Sequence, residues 1–362
     1  MILPSENEAS GWTFKERVHH FWELFSESSQ RFYRAIDEGD SDVLTNDFSS
    51  LMERVLPRLA WVFGPGHRGG HALTLSGEGV VPKQFLTQFW QTLAPECEGW
   101  GFYASRKATP RERLEGMEIS VGPNEKIDVG GVQVQTRADE EAEKFALNFW
   151  HPSMQSVPEA DRMTIAFLLL DEALGEFGTE RFLTQIAAEP LREDDANWKT
   201  MSLLDLPKFL QSAAEYYEWQ FLSPLESRSL YELSGEPDTD KPRGDTIVGS
   251  TSVDRALFEF LNAGGVPEDA VLAGTGAEVC YAKFATRGLP GGDEAEARGR
   301  LETLVDETLR AQTSGVCVGG AIGTENSYLD LILFDGQRSR SIVKACLDEM
   351  NFPSGVTIEA MG

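Results

Sequence analysis

Apolar positions keep helical spacing through residues 11–37, where Phe14, Val18, Phe21, Trp22, Phe25 and Phe32 share one face. Val43, Leu44, Phe48, Leu51, Met52 and Val55 repeat the pattern over 40–56. β-rich runs at 58–63 and 71–76 then flank a glycine-rich loop, followed by a helix at 82–93 and a strand at 100–105. A polar connector holds a strand pair near 117–119 and 132–135. Beyond it the pattern predicts a strand at 145–150, a helix at 160–174, a strand at 180–187 and a helix at 206–217. The unit 145–187 reads as β-α-β.

The last 85 residues read as strand, helix, strand, strand, helix, strand. The strands fall at 278–285, 315–322, 327–334 and 356–360. Asp293 is placed to cap the first helix, with Ala297, Leu301, Leu304, Val305 and Leu309 on its apolar stripe. Ile342, Val343, Cys346, Leu347 and Met350 mark the second. This order is the split βαβ signature of a ferredoxin-like sandwich. Along 327–334 the leucines Leu329, Leu331 and Leu333 point one way, and Tyr328, Asp330, Ile332 and Phe334 the other. Right-handed crossovers place both helices on one side, so the leucine face meets them. The opposite face is too apolar for open water and is expected to be covered by the N-terminal half, a second copy or a partner. Asp330 on that face needs a partner or a place at the rim, because an isolated buried charge is costly.

The predicted class is α+β: an N-terminal mixed sheet with helices on one side, plus a C-terminal ferredoxin-like split βαβ sandwich. Residues 1–225 are read as one domain and 251–362 as the second. The polar, Pro/Gly-rich stretch 226–250 is read as the linker.

Composition narrows the function classes. A 41% hydrophobic chain of 362 residues can bury real cores. It has no apolar run of membrane-spanning length and its first residues lack the pattern of a secretion signal. A formal net charge of −27 argues against gripping a nucleic-acid backbone, which needs clustered Lys and Arg. It suits a basic protein partner or high solubility. Cys97, Cys280, Cys317 and Cys346 are widely spaced and read as reduced thiols of a cytoplasmic protein. Neither they nor the five histidines have ligand spacing, so no metal or other cofactor is expected.

Catalytic signatures are weak. The loop with Gly64, Gly66, Gly69 and Gly70 leads into a strand, whereas a phosphate cradle leads into a helix. His67, Arg68 and His71 lie on or beside it and are pocket candidates without an acid or Cys at motif spacing. Asp171 and Glu172 crowd a helix C-terminus, where carboxylates oppose the helix dipole, and are pocket candidates on that ground. No catalytic set can be singled out.

In the stretch Leu168 to Ala187 and the hairpin Gly319 to Leu331 (GGAIGTENSYLDL), the chain resembles uncharacterised bacterial proteins with an N-terminal domain of unknown function. Some of them resemble fusions to a ferredoxin-like domain similar to regulator of ribonuclease E activity B. The glycine-rich hairpin has no match in the ribonuclease regulator, and the resemblance offers no catalytic residues to carry over. The expected function is a non-catalytic, cytoplasmic interaction or regulatory module with a protein partner or a second copy of itself. Its expected interaction face is Tyr328, Asp330, Ile332 and Phe334. The alternative is a small-ligand binder, or an enzyme of hydrolase type, with a pocket between the two domains.

Overall fold

The computed structural model describes residues 3–40, 42–67, 69–121, 126–192, 195–233, 237–238, 240–289 and 293–362. The fold is α+β. It divides into two compact units, one made of Met1–Ala104 together with Ser227–Gly362, the other of Ser105–Glu226. The second unit is therefore an insertion within the first.

The N-terminal segment carries α1 (Glu6–Ser10), α2 (Phe14–Glu38) and α3 (Ser49–Val55), then β1 (Ala60–Pro65), β2 (His71–Ser76), α4 (Val81–Thr92) and β3 (Trp100–Tyr103). A capping box starts α2: the Thr13 hydroxyl accepts the Glu16 N–H at 3.3 Å and the Glu16 carboxylate accepts the Thr13 N–H at 2.8 Å. Gly39 ends it in the left-handed conformation. Only part of the helix expected over 40–56 is α-helical, since Val43–Phe48 winds as a wider π-helical stretch before α3. Strands β1 and β2 are antiparallel, and β3 joins β2 in parallel after α4 crosses over. Phe21, Trp22 and Phe25 of α2 pack against Trp90, Trp100 and Phe102, mostly edge to face, to make this region's core.

The inserted unit carries α5 (Arg111–Glu115), the hairpin β4 (Glu118–Ser120) and β5 (Lys126–Asp128), β6 (Gln133–Asp139), β7 (Lys144–Trp150), α6 (Glu159–Leu174), α7 (Glu176–Phe182), β8 (Leu183–Ala187), β9 (Lys199–Ser202) and α8 (Leu206–Tyr217). Its four-stranded sheet runs β8-β7-β6-β9, with β7 and β8 parallel as the β-α-β pattern predicts. The strand expected over 180–187 begins later than predicted, because residues 176–182 form α7. Leu147, Phe149, Leu169, Leu170 and Leu210 belong to a core confined to this unit.

The rest of the first unit adds β10 (Ser229–Glu232), β11 (Thr246–Thr251), α9 (Asp254–Ala263), β12 (Glu278–Ala285), α10 (Glu294–Ala311), β13 (Gly315–Gly323), β14 (Asn326–Leu333), α11 (Gly336–Asp348) and β15 (Thr357–Ala360). Asp293 caps α10 as expected, accepting the Glu296 N–H at 2.9 Å. All neighbouring strands are antiparallel, in the order β10-β11-β13-β14-β12-β15. The leucine face packs on α10 and α11 through Leu329, Leu331, Leu333, Leu301, Val305 and Val343. Two glycines let β11 join. A side chain at Gly319 (φ +153°) would meet the Ser250 carbonyl at 2.2 Å, and one at Gly249 would strike the Tyr231 ring at 2.5 Å.

Two expectations are corrected here. Residues 226–250 are no free linker: β10 lies inside the stretch and β11 begins in it, extending the sheet beyond β13. The chain also does not separate into 1–225 and 251–362, because residues 1–104 belong to the same unit as the six-stranded sheet. The physical reason is the sheet's second face. Phe334 packs on Phe14 (6.0 Å) and Phe89 (4.4 Å), while the Lys15 N–H donates to the Phe334 carbonyl at 2.8 Å. Tyr281 packs on Phe260 of α9.

These contacts predict how fragments behave. The isolated fragment 251–362 should not fold cooperatively, since it loses two strands and the cover over Tyr328, Ile332 and Phe334. The fragment 105–226, which has its own core, should. Circular dichroism during urea titration checks both, and a sharp transition for 251–362 would show that the N-terminal cover is dispensable.

Candidate functional site

A cavity of about 610 Å³ opens in the first unit where the starts of α4 and α9 face the loop around Asp269 and Val271. That volume lies in the range of small-molecule sites. Both helices begin after a valine, Val80 and Val253, and neither valine's side chain caps the helix. Valine is among the poorest N-cap residues, so the first-turn N–H groups depend on other acceptors. The Val253 N–H finds the Thr251 hydroxyl at 3.3 Å, and the Arg255 N–H finds the Asp254 carboxylate at 2.6 Å. In α4 the ring of Pro82 removes one donor, and the Gln84 N–H makes the first helical bond, to the Val80 carbonyl.

The charged lining is mixed. Arg58, held with φ +67°, donates to the Ala270 and Ala273 carbonyls at 3.3 and 3.0 Å and so ties the far wall in place. Arg255 pairs with Glu259 at 3.0 Å, and Asp254 accepts from the Ser229 hydroxyl at 2.8 Å. Among the described residues Lys83 has no ion-pair partner, which leaves it the cation available to a ligand. Among the described residues the lining includes no histidine or cysteine.

The expected interaction face lies elsewhere and is closed. Tyr328, Asp330, Ile332 and Phe334 are all buried, Asp330 completely, so they are not an open surface for a partner. Their cover comes from the same unit: Phe14 and Phe89 over Phe334, and the turn before β11 over Tyr328 and Asp330. Arg243 sits left-handed at φ +57° and donates to Asp330 Oδ1 at 2.5 Å and to the Tyr231 hydroxyl at 2.8 Å. Its guanidinium carbon lies over both the Tyr281 and the Tyr328 ring, 5.3 and 4.8 Å from their centres. Burial works against the Arg243 charge, but Asp330 and the tyrosines outweigh it and hold its pKa above the ordinary value. Oδ2 of Asp330 has no hydrogen-bond partner among the described residues. Two residues on, Asp245 accepts from the Tyr328 hydroxyl and from the N–H groups of Glu325 and Asn326 at 3.0 and 2.8 Å. Burial raises the Asp245 carboxyl, yet these donors together hold it below its usual range.

The other described sequence candidates have partners within the fold. His67 is exposed; its N–H donates to the Tyr103 hydroxyl at 3.3 Å and its ring stands edge-on to that tyrosine. Arg68 lies outside the described residues. His71 Nε2 lies 2.8 Å from Asp37 Oδ1, with its ring against Tyr33. In the inserted unit Asp171 accepts from Arg106 at 3.0 Å and from Thr179 at 3.3 Å, and burial nonetheless pushes its carboxyl up. Glu172 accepts from the Thr109 hydroxyl. His67, His71, Asp171 and Glu172 do not line the cavity. Cys280 and Cys317 are buried thiols whose burial pushes their ionisation well up, as expected of structural cysteines.

Arg243, Asp245 and the cavity residues were not anticipated from the sequence. The signal for a partner was Asp330 itself, a carboxylate among apolar neighbours that has to meet a cation once both faces are covered.

The chain matches no protein-family model, and neither a curated protein nor a solved structure is significantly similar to it. No described helix is long and apolar enough to cross a membrane.

Two outcomes follow for the buried network. Arg243→Ala leaves Asp330 buried and unpaired and should lower the unfolding free energy by about 3–5 kcal/mol. Replacing both partners with apolar residues, Arg243→Met with Asp330→Leu, should recover most of that loss. Urea denaturation of the single and double variants decides, and a loss below about 1 kcal/mol in the single variant would show that the pair is solvated.

Asp245 makes a pH-dependent contribution. Its folded pKa is depressed, so its stabilisation is present above the unfolded carboxylate range and is lost as the pH falls through the folded value. Asp245→Asn should cost about 1.5–3 kcal/mol at neutral pH and flatten the acid limb of the stability curve. Denaturation midpoints measured from neutral pH down to the onset of acid unfolding check this; an unchanged acid limb would assign the dependence to other carboxylates.

Proposed function

We propose that the chain is a non-catalytic binding module that takes up a small polar molecule carrying an acidic group. The observation that carries this reading is the cavity of about 610 Å³ between the starts of α4 and α9. Its size suits a small molecule, its walls include Val80, Val81, Pro82, Val253 and Val271, and Lys83 supplies a cation with no ion-pair partner among the described residues. Arg58 adds a second positive charge, already anchored by two carbonyls. A protein partner or second copy would then be reached through a surface other than the buried face of Tyr328, Ile332 and Phe334.

Thermal-shift and calorimetric titrations with inorganic phosphate, glutamate and citrate test the reading. At least one should raise the melting temperature in proportion to its concentration, because a ligand that binds only the folded state stabilises it by mass action. Lys83→Glu should weaken that binding roughly tenfold or more, the effect of losing one charge-assisted contact. Tyr216→Ala, an exposed position on the inserted unit, should leave it unchanged. Failure of all three probes to bind, or equal binding by Lys83→Glu, would overturn the proposal.

A further inference from the structure

We propose that a small oxyanion of phosphate size binds a second cavity of the first unit, about 270 Å³ in volume, which α3 forms with the end of α1 over Arg17 of α2. One wall is a face of α3, where Ser50, Glu53 and Arg54 recur at i, i+3 and i+4, and Pro57 follows the helix end. Ala9 and Ser10 of α1 stand opposite.

Arg17 is only 5% exposed. Its Nη1 donates to the Arg54 and Val55 carbonyls at 3.3 Å each, and its Nη2 to the Ala9 carbonyl at 2.6 Å. Those carbonyls fix the guanidinium but carry no net charge to offset it. Among the described residues no carboxylate pairs with Arg17, and burial pulls its pKa down with no acid opposing the shift. Its Nε–H is buried and has no acceptor. A buried cation short of both a counterion and an acceptor is costly. An oxyanion supplies both, because its oxygens match the guanidinium fork. Arg54 lines the same cavity, donates to the Pro4 carbonyl at 3.0 Å and has no carboxylate partner among the described residues. Glu53, exposed on the same wall, opposes an anion and limits its affinity. The volume falls below the usual range of drug-sized ligand sites, which suits a small ion. The cavity shares no lining residue with the one at Lys83.

Calorimetric titration of the full chain with sodium phosphate, against sodium chloride of equal ionic strength, tests the site. The Lys83→Glu variant should keep a phosphate site. Arg54→Gln in that background should weaken it roughly tenfold or more, the effect of losing one charge-assisted contact. Glu53→Gln, a change at an exposed position, should tighten it, so the site is also read through a gain in affinity. Phosphate binding that disappears with Lys83→Glu alone would overturn this inference and leave the Lys83 cavity as the anion site. Equal binding by Arg54→Gln, or no gain in Glu53→Gln, would overturn it as well.

Discussion

The six-stranded sheet is apolar on both faces, and covering the second face organises the whole first unit. Helices α10 and α11 satisfy only the leucine side. The side bearing Tyr281, Tyr328, Ile332 and Phe334 draws in the start of α2, α4 and α9, which lie far from it in sequence. Burying each large side chain is worth roughly 1.5–3 kcal/mol, so several of them outweigh the entropy of bringing the N-terminal segment back to the sheet. The insertion at 105–226 follows a different logic: its own core satisfies its own elements.

Polar groups caught under that cover are satisfied by one turn. Arg243 and Asp245 flank Gly244 and reach Asp330 and Tyr328 respectively. The arrangement satisfies most of the buried donors and acceptors while leaving one oxygen of Asp330 unpartnered. Buried ion pairs of this kind are weak sources of net stability, because desolvation consumes most of the attraction. Their effect is better described as selective. The register that pairs β11 with β13 is the one in which Arg243 meets Asp330 and leaves neither charge isolated. The cavity lies between the starts of α4 and α9, and none of Arg243, Asp245, Tyr328 and Asp330 lines it.

The candidate site was illegible for a related reason. The residues that line it come from positions near 58, 80, 253 and 270, and none has a motif spacing with any other. Valine before a helix reads as strand or core in the sequence, and an uncapped helix start shows itself only when the chain is folded. The histidines and carboxylates that did stand out, His67, His71, Asp171 and Glu172, were conspicuous because their residue types do chemistry elsewhere. Here His71, Asp171 and Glu172 make side-chain hydrogen bonds to Asp37, Arg106 and Thr109, and His67 bonds only through its backbone N–H among the described residues.

The sequence by itself determined the α+β class, the aromatic stripe of α2, the strand-helix order over 278–360 and the face of β14 that meets the helices. Each rests on short-range periodicity, which the backbone enforces wherever the segment ends up. Tertiary structure alone decided that residues 1–104 and 227–362 form one unit, that the polar stretch after 226 supplies two strands, and that the apolar face is closed. Those outcomes depend on which distant surfaces are complementary. A side-chain period of two says that a face must be buried, but not what buries it.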